Sequence, residues 1–297
     1  MSTWDSPTDE PTRERVRRTQ VSLAGLHPVG RRLPLGAYVR ELARYRAFIA
    51  FEARSRLLTA NRGMILGNAW LVGRPLIDGA TYFLFFGVIL QASRGVANYP
   101  GFLIIGVFLF AFTASSMRAG LGAMTGGRNL LRAFAFPRAV VPLSMALRET
   151  LNQIPALVSM AVMLIVLPPH ALPRWSWLLV PGVVVLATLF NSGLVLFLAR
   201  LTSHVPDLSV VIGMITRLLV YGSGVMFSLD RFITHPQWLA VLTLNPVYVI
   251  LDLARQLLLD GIIPPVHQWA LLGVWAVGSL VVGFVYFWAG EEGYGRD

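Results

Sequence analysis

Long apolar segments separated by short polar stretches dominate the chain from about residue 65 onward. A helix that crosses a bilayer takes about 20 mostly apolar residues. Six segments approach or exceed that length, and the pattern therefore predicts an all-α integral membrane protein with six transmembrane helices. The predicted spans are Ile65–Gln91, Gly101–Met117, Val140–Leu167, Trp177–Leu198, Leu208–Ser228 and Trp269–Ala289.

The segment before the first span, residues 35–60, has a different pattern. Tyr38, Leu42, Tyr45 and Ile49 recur at helical spacing, and charged residues such as Arg40 take the opposite side. An aromatic apolar face opposite an arginine-rich face is typical of a helix that lies in the membrane interface. A soluble amphipathic helix is the alternative, and the nearby first span favours the interfacial one.

The remaining domain boundaries follow from these two patterns. Residues 1–34 are polar and rich in proline, threonine and arginine, which predicts a disordered cytoplasmic tail. Residues 61–297 contain all six predicted spans and form the transmembrane domain.

Two connections between spans are long enough to hold structure of their own. The loop from Arg118 to Pro137 contains a segment, Asn129–Phe136, that is predicted to form a short cytoplasmic helix. The stretch from Leu229 to His267 is predicted to form an external helical hairpin before the last span. Within it, Asn245 followed by Pro246 is a good helix start, Asp252 and Arg255 give the next helix a polar face, and Gly261 ends it.

The distribution of charged residues predicts how the chain is oriented in the membrane. Only 13% of residues are charged, and all 25 basic residues are arginines. With the N-terminus inside, eighteen arginines lie on the cytoplasmic side and four on the outside, so both termini are predicted to be cytoplasmic. A multi-pass protein of the plasma (inner) membrane explains the net charge of +10 without nucleic acid, because the arginines flank apolar segments beside anionic lipid headgroups.

Candidate chemistry is scarce. The sequence has no cysteine, and the absence of lysine excludes a Walker-A phosphate-binding loop. The five histidines are scattered without metal-binding spacing, so no metal site is predicted. We therefore expect a chain that is not an enzyme and holds no cofactor, with any ATP and magnesium bound by a partner subunit.

Charged residues inside the predicted spans need a reason, because they are costly in the bilayer. Arg74 and Asp78 stand four apart and can pair, Arg148 and Glu149 are adjacent and are expected to point differently, and Arg217 lies near the centre of its span. These charges form interhelical ion pairs, with Asp78 or Glu149 as the partner of Arg217, or they line a polar passage. Aromatic neighbours fit a sugar path or lipid-facing packing, so the candidate substrate path comprises Arg74, Asp78, Tyr82, Phe86, Arg217 and Tyr221.

Three stretches resemble a known family over roughly residues 35 to 290. Phe134–Ser144 (FAFPRAVVPLS) is similar to a phenylalanine-proline-arginine segment at the start of span three, and Tyr221–Ser228 (YGSGVMFS) closes span five. Asn245–Gly261 (NPVYVILDLARQLLLDG) is similar to an asparagine-proline hairpin with a downstream arginine. In this order they resemble ABC-2 type permeases of the branch that exports O-antigen and teichoic-acid polysaccharides.

The resemblance implies a permease of an ABC exporter that moves a lipid-linked cell-envelope polysaccharide, such as a galactan, outward. Two copies would form a homodimer channel driven by two ABC ATPase subunits, and the amphipathic helix would clamp the ATPase. The implied coupling helix comprises Asn129, Leu130, Leu131, Arg132, Phe134 and Phe136, and the implied external gate comprises Asn245, Pro246, Tyr248, Asp252 and Arg255.

Other functions stay open at this point. An ABC-2 permease for a drug or small lipid shares the fold, and a proton-coupled secondary transporter would work without an ATPase. A membrane-embedded polyprenyl-sugar enzyme is disfavoured, because no external loop concentrates carboxylates.

Overall fold

The computed structural model describes residues 33–59, 66–89, 96–127, 130, 136–229 and 235–291. These residues form helices joined by turns, and no strand occurs among them. Most of the predicted tail lies outside the described residues, as do Asn129, Leu131, Arg132 and Phe134 of the predicted coupling helix.

The second, third, fourth and sixth predicted spans correspond to long helices in the structure. They are α4 (Tyr99–Leu121), α6 (Val140–Val166), α7 (Val180–His204, preceded by a 3₁₀ turn at Trp175–Leu179) and α11 (Val266–Ala289), and a short helix, α5 (Ala123–Gly126), follows α4. Among the described residues, only these four helices are both long enough and apolar enough to cross a bilayer as single helices. The chain is therefore an all-α integral membrane protein.

The first and fifth predicted spans are helical but less regular. In the first, α3 (Trp70–Tyr82) contains Pro75 and continues as a π-helical segment, Phe83–Ile89. In the fifth, α8 (Leu208–Gly222) has 15 residues and ends six residues before the predicted end. At 1.5 Å per residue, α8 alone is about 22 Å long, shorter than the hydrocarbon core of about 30 Å. The count of six spans stays a prediction.

The predicted interface helix is two helices. They are α1 (Leu35–Arg44) and α2 (Arg46–Thr59), separated by a break at Tyr45. The side chain of Tyr38 on α1 is 1% exposed, whereas Phe51 on α2 is 67% exposed. One side of the pair therefore packs on the protein and the other presents apolar and arginine side chains outward.

The centre of the bundle is α4, most of whose residues are buried. Beside it, α7 and α11 cross each other closely. A Cβ atom at Gly193 of α7 would collide with the backbone of Ser279, and one at Gly283 of α11 would collide with the backbone of Gly193. Small residues let two membrane helices approach this closely.

Two helices precede α11 where the external hairpin is predicted, and their position outside the membrane stays a prediction. They are α9 (Pro236–Thr243) and α10 (Pro246–Arg255, extended by a π-helical turn, Gln256–Asp260), with an 84° bend between them. The prediction for its ends is confirmed. Asn245 caps α10 by accepting a 3.0 Å hydrogen bond from the Val247 amide, and Gly261 ends the segment in the left-handed region at φ 69°.

Candidate functional site

A cavity of about 750 Å³ lies between α2, α3, α4 and α6. These helix segments belong to the end of the bundle that the arginine distribution assigns to the cytoplasm. Apolar side chains form part of the wall, among them Trp70, Val107 and Phe108. The polar lining consists of Arg56, Arg74, Asp78, Ser115, Arg118, Arg148, Glu149, Asn152 and Gln153.

Two of the four cavity arginines already have carboxylate partners. Arg56 bonds to Glu52 over 2.5 Å on the same helix, and Arg148 bonds to Glu149 over 2.5 Å. Arg74, Arg118 and Asp78 have no hydrogen bond or ion pair to another side chain among the described residues. The cavity therefore presents two unpaired guanidinium groups and one unpaired carboxylate.

The predicted divergence of Arg148 and Glu149 is wrong. Both the Nε and Nη2 atoms of Arg148 donate to Glu149 Oε1, at 3.0 and 2.5 Å. Adjacent helical residues point about 100° apart at Cβ, but the long arginine side chain turns back far enough to close the gap. Since Glu149 is 8% exposed, the pair keeps its charge neutralised inside the protein.

The six residues of the predicted substrate path do not converge. Arg74 and Asp78 line the cavity, whereas Tyr82 lies one turn further along α3 and does not line it. The side chain of Phe86 lies outside the described residues. Arg217 and Tyr221 are exposed on α8, and Arg217 makes no ion pair with Asp78, Glu149 or any other described residue.

The exposed face of α8 explains why Arg217 is isolated. Its other members are apolar or aromatic side chains that are also exposed: Val210, Val211, Met214, Ile215, Leu218 and Tyr221. Within the described chain nothing covers this face. Arg217 is therefore a charged residue within an apolar face of α8 that is exposed in a single copy of the protein.

The polar face predicted for α10 is only half correct, because Arg255 turns into the protein and is 6% exposed. Its Nη2 atom donates to the carbonyls of Phe102 and Val225 at 3.3 and 3.0 Å, and its guanidinium carbon lies 3.4 Å from the Phe102 ring centroid. Gly106 leaves room for the group, because a Cβ there would stand 2.6 Å from Nη2. Asp252 is half-buried and accepts a 2.8 Å bond from Gln256.

The other hairpin residues lie against the turn that follows α8. The amide nitrogen of Asn245 donates to Ser223 Oγ at 3.0 Å and to the Gly222 carbonyl at 3.4 Å. Pro246 begins α10, and Tyr248 packs near Gly224, which has φ +62°. The hydroxyl of Tyr99, from the start of α4, donates to the Met226 carbonyl over 2.8 Å. The hairpin, α4 and the end of α8 thus form one hydrogen-bonded assembly.

A second polar cluster lies at the end of the bundle away from the hairpin, where α1, the start of α6 and the end of α11 meet. Tyr38 donates to Glu291 Oε2 over 2.7 Å and accepts a 3.1 Å bond from the Ala139 amide. Arg138 donates from its amide to Glu291 Oε1 at 3.0 Å and from Nη1 to the Glu291 carbonyl at 2.8 Å. We call these four residues the latch.

Burial raises the pKa of Glu291 above its ordinary value, and the hydrogen bonds from Arg138 and Tyr38 and the Arg138 charge oppose that rise. The carboxylate thus accepts two hydrogen bonds in a partly desolvated place. Charge and hydrogen bonding only partly offset the loss of water.

Two of the six predicted coupling residues lie within the described chain. Leu130 and Phe136 are half-buried and pack against the apolar cluster that surrounds Tyr38. The ring of Phe136 lies 6.0 Å from that of Tyr45 and 5.7 Å from that of Phe48. The end of the loop that precedes α6 is therefore attached to α1–α2 through aromatic contacts.

The other polar members of the cavity cannot be identified from the sequence alone. Arg118 lies in a predicted loop and Arg56 in the predicted interface helix, while Asn152 and Gln153 are uncharged. The residues recur at spacings of three to four on α3 and on α6, which is the available signal for a shared helix face. Nothing in the spacing shows that the polar faces of these helices meet.

Comparison with known proteins agrees with this architecture. Residues 51–259 match the family described as ABC-2 type transporter. The chain is similar to "O-antigen export system permease protein RfbA" of Myxococcus xanthus, with 25% identity over 249 residues, or 82% of this chain and 94% of that protein. Two proteins of the same name from Klebsiella pneumoniae are 24% and 23% identical over 200 and 202 residues, covering 67% and 68% of this chain and 75% and 76% of theirs.

Proposed function

Since the chain belongs to the ABC-2 type transporter family, we propose that it is the permease subunit of an ABC exporter for a lipid-linked cell-envelope polysaccharide. Transport runs from the cytoplasm outward across the plasma membrane. A separate ABC ATPase subunit binds ATP and magnesium, because this sequence lacks the lysine that a Walker-A loop requires.

The observation that carries the proposal is the near full-length match to a permease named for O-antigen export, which is covered over 94% of its length. The match therefore covers nearly the whole length of that protein rather than a short shared fragment. The polar cavity beside α2 supports the same function, since a sugar-bearing lipid needs a wet, charged place at the edge of an apolar bundle.

A second copy of the chain accounts for the open face of α8. A guanidinium facing hydrocarbon costs at least about 2.5–3.5 kcal/mol on insertion scales. Arg217 is exposed and has no ion-pair partner among the described residues of its own chain. A homodimer that places α8 along a shared wet passage would hydrate Arg217 and cover its apolar neighbours.

Coupling to the ATPase is assigned to the cytoplasmic loop that contains residues 129–136. The ring of Phe136 packs against Tyr45 and Phe48. Just after it, the Arg138 and Ala139 amides bond to the other two members of the latch, Glu291 and Tyr38. A displacement of this loop by the ATPase would thus be transmitted to both α1–α2 and the start of α6.

The function is tested by depleting the chain in its native host and measuring lipid-linked polysaccharide inside and on the surface. We expect accumulation in the cytoplasmic leaflet and loss from the surface, restored by the wild-type chain only when its ATPase has an intact Walker-A lysine. Normal surface polysaccharide together with lost efflux of a drug or small lipid would overturn the assignment and favour a small-molecule permease. Restoration without a functional ATPase would favour a secondary transporter.

A further inference from the structure

The middle of α7 contains a polar side chain with no hydrogen bond to the described protein. Asn191 is 2% exposed, and neither its amide oxygen nor its amide nitrogen has a partner among the described residues. An amide buried in this way is costly, because both groups have lost the water to which they bond outside the protein. Asn191 therefore needs a partner other than a described side chain or carbonyl.

Ser116 on α4 has the same property. It is 1% exposed and its hydroxyl is unpartnered within the described chain, whereas the hydroxyl of the neighbouring Ser115 donates to the Phe112 carbonyl at 3.0 Å. Across the described residues, five buried side-chain atoms lack a partner, and Ser116 and Asn191 supply three of them. The other two belong to arginines that bond through another nitrogen. The unpartnered groups are therefore concentrated on these two residues.

Contacts between α4 and α7 place the two residues on facing sides of the helices. A Cβ at Gly120 of α4 would stand 3.0 Å from the Cα of Val195 on α7, so these two positions face each other. Further along both helices, Thr202 donates to a carbonyl at the end of α4 at 3.2 Å, so the helices run in the same direction. Ser116 and Asn191 each lie four residues before the facing pair. One helical turn keeps them on the same two faces.

The neighbouring contacts restrict what can satisfy these groups. On its other side α7 packs closely on α11, where Ser279 donates to the Phe190 carbonyl at 2.9 Å and its backbone touches Gly193. Because α7 is held on both sides, sliding along α4 does not supply new partners. Lipid and a second copy of the chain reach only exposed groups. Water is small enough, and it both donates and accepts hydrogen bonds.

We propose that Ser116 and Asn191 bind water between α4 and α7. An internal water makes about three hydrogen bonds to buried polar groups that have no other partner. The Ser116 hydroxyl and the amide oxygen and nitrogen of Asn191 provide such groups from two helices. The water site lies apart from the charged cavity, whose lining includes Ser115 and not Ser116. The site does not depend on which substrate the chain transports.

Radiolytic labelling of the wild-type chain in lipid nanodiscs tests for the water. Brief X-ray irradiation converts bound water into hydroxyl radicals, which oxidise methionines beside it. Met117 directly follows Ser116, whereas Met160 is equally enclosed in α6 and follows Ser159, whose hydroxyl is bonded within its own helix at 2.9 Å. We expect Met117 to be oxidised faster than Met160. Asn191→Leu should lower the Met117 rate to that of Met160.

A double-mutant cycle tests whether the two residues share the water. Ser116→Ala removes one partner of the water and Asn191→Leu removes the amide, so each should lower the midpoint of thermal unfolding in detergent by about 2–4 °C. The double variant should lose less than the sum, because a shared water can be lost only once. Ser159→Ala is the matched control, since Ser159 is also 1% exposed but bonds within its own helix. Its effect should add to that of Asn191→Leu.

Several results would overturn the site. Equal oxidation of Met117 and Met160 in the wild type would exclude bound water, and this measurement needs no variant to fold. A higher unfolding midpoint for Asn191→Leu would show that the amide is buried without any partner. Additive effects of Ser116→Ala and Asn191→Leu would show that the two residues share no ligand. A non-additive cycle without faster oxidation of Met117 would indicate a direct hydrogen bond between the two side chains.

Discussion

Tyr38 donates a hydrogen bond to Glu291 over 2.7 Å, although the two residues are 253 positions apart in the sequence. Both lie outside residues 51–259, the part that matches the family. Together they bond to Arg138 and Ala139 inside that part, where α6 begins. Flanking segments from both sides of the family domain thus meet at the start of α6.

The first prediction concerns the latch hydroxyl. Tyr38→Phe removes one donor and leaves the Ala139 amide and Glu291 Oε2 each short of a partner in a buried place. Removing a partner from buried polar groups costs about 1–3 kcal/mol, so the midpoint of thermal unfolding in detergent should fall. Tyr45→Phe is the matched control, because the Tyr45 hydroxyl has no hydrogen-bond partner among the described residues, and its midpoint should be unchanged. Equal effects of the two substitutions would contradict the latch.

The second prediction concerns pH. Burial raises the pKa of Glu291, so the Glu291 carboxyl group stays protonated to a higher pH in the folded protein than in the unfolded chain. Stability contributed by this group is therefore full below the ordinary value of 4.5 and declines as pH rises from there through the raised pKa. Glu291→Gln removes the titration. As the pH rises through this window, the thermal unfolding midpoint of the wild type should fall relative to that of Glu291→Gln. A difference between the two midpoints that does not change with pH would argue against a raised pKa.

The third prediction concerns the close contact between α4 and Arg255. In Gly106→Ala the new Cβ would stand 2.6 Å from both Arg255 Nη2 and the Val225 carbonyl oxygen. The Val225 oxygen belongs to the backbone, so the strain cannot be relieved by a rotamer change, and we expect a loss of about 1–3 kcal/mol. Gly278→Ala is the matched control in α11, because a Cβ there has nothing within 4 Å. Thermal unfolding of the two variants side by side is the measurement, and a stable Gly106→Ala variant would show that the hairpin can move away from α4 at little cost.

The fourth prediction concerns the exposed face of α8. The wild-type sequence has no cysteine, so Arg217→Cys carries a single thiol. If α8 lines a wet passage between two copies, this thiol should react with a membrane-impermeant maleimide in intact membranes. Val274→Cys, at a position in α11 that is 70% exposed among apolar neighbours, should stay unlabelled. Two unreactive thiols would place Arg217 away from water and remove its assignment to the passage.

The long apolar helices and the hairpin ends could be predicted, because each is set by local rules. An apolar segment of about 20 residues has few alternatives to a spanning helix, and an asparagine before proline caps a helix whatever surrounds it. This is why α6, α11 and the start of α10 at Asn245 lie where the pattern placed them, within a few residues.

The features that could not be predicted share a different cause: they depend on contacts between segments that are distant in the sequence. Apolar content alone extends the fifth span to Ser228, but side chains from α4, α10 and the cap residue Asn245 bond to the carbonyls of Gly222, Val225 and Met226 at the end of the helix. The direction of Arg255 depends on the space left by Gly106 on α4. The cavity exists only because the polar faces of α3, α4 and α6 meet, and no single helix shows this.

The carbonyls of Gly222, Val225 and Met226 each accept a bond from a side chain outside α8: Asn245, Arg255 and Tyr99. In an apolar medium each bond can be broken only if another donor replaces it at once. The hairpin therefore cannot move away from the end of α8 by itself, since the carbonyls of Gly222 and Val225 would lose their donors. Tyr99 and the Phe102 carbonyl tie the same assembly to α4, so any opening here must move the hairpin, the end of α8 and the start of α4 together, with the hinge elsewhere.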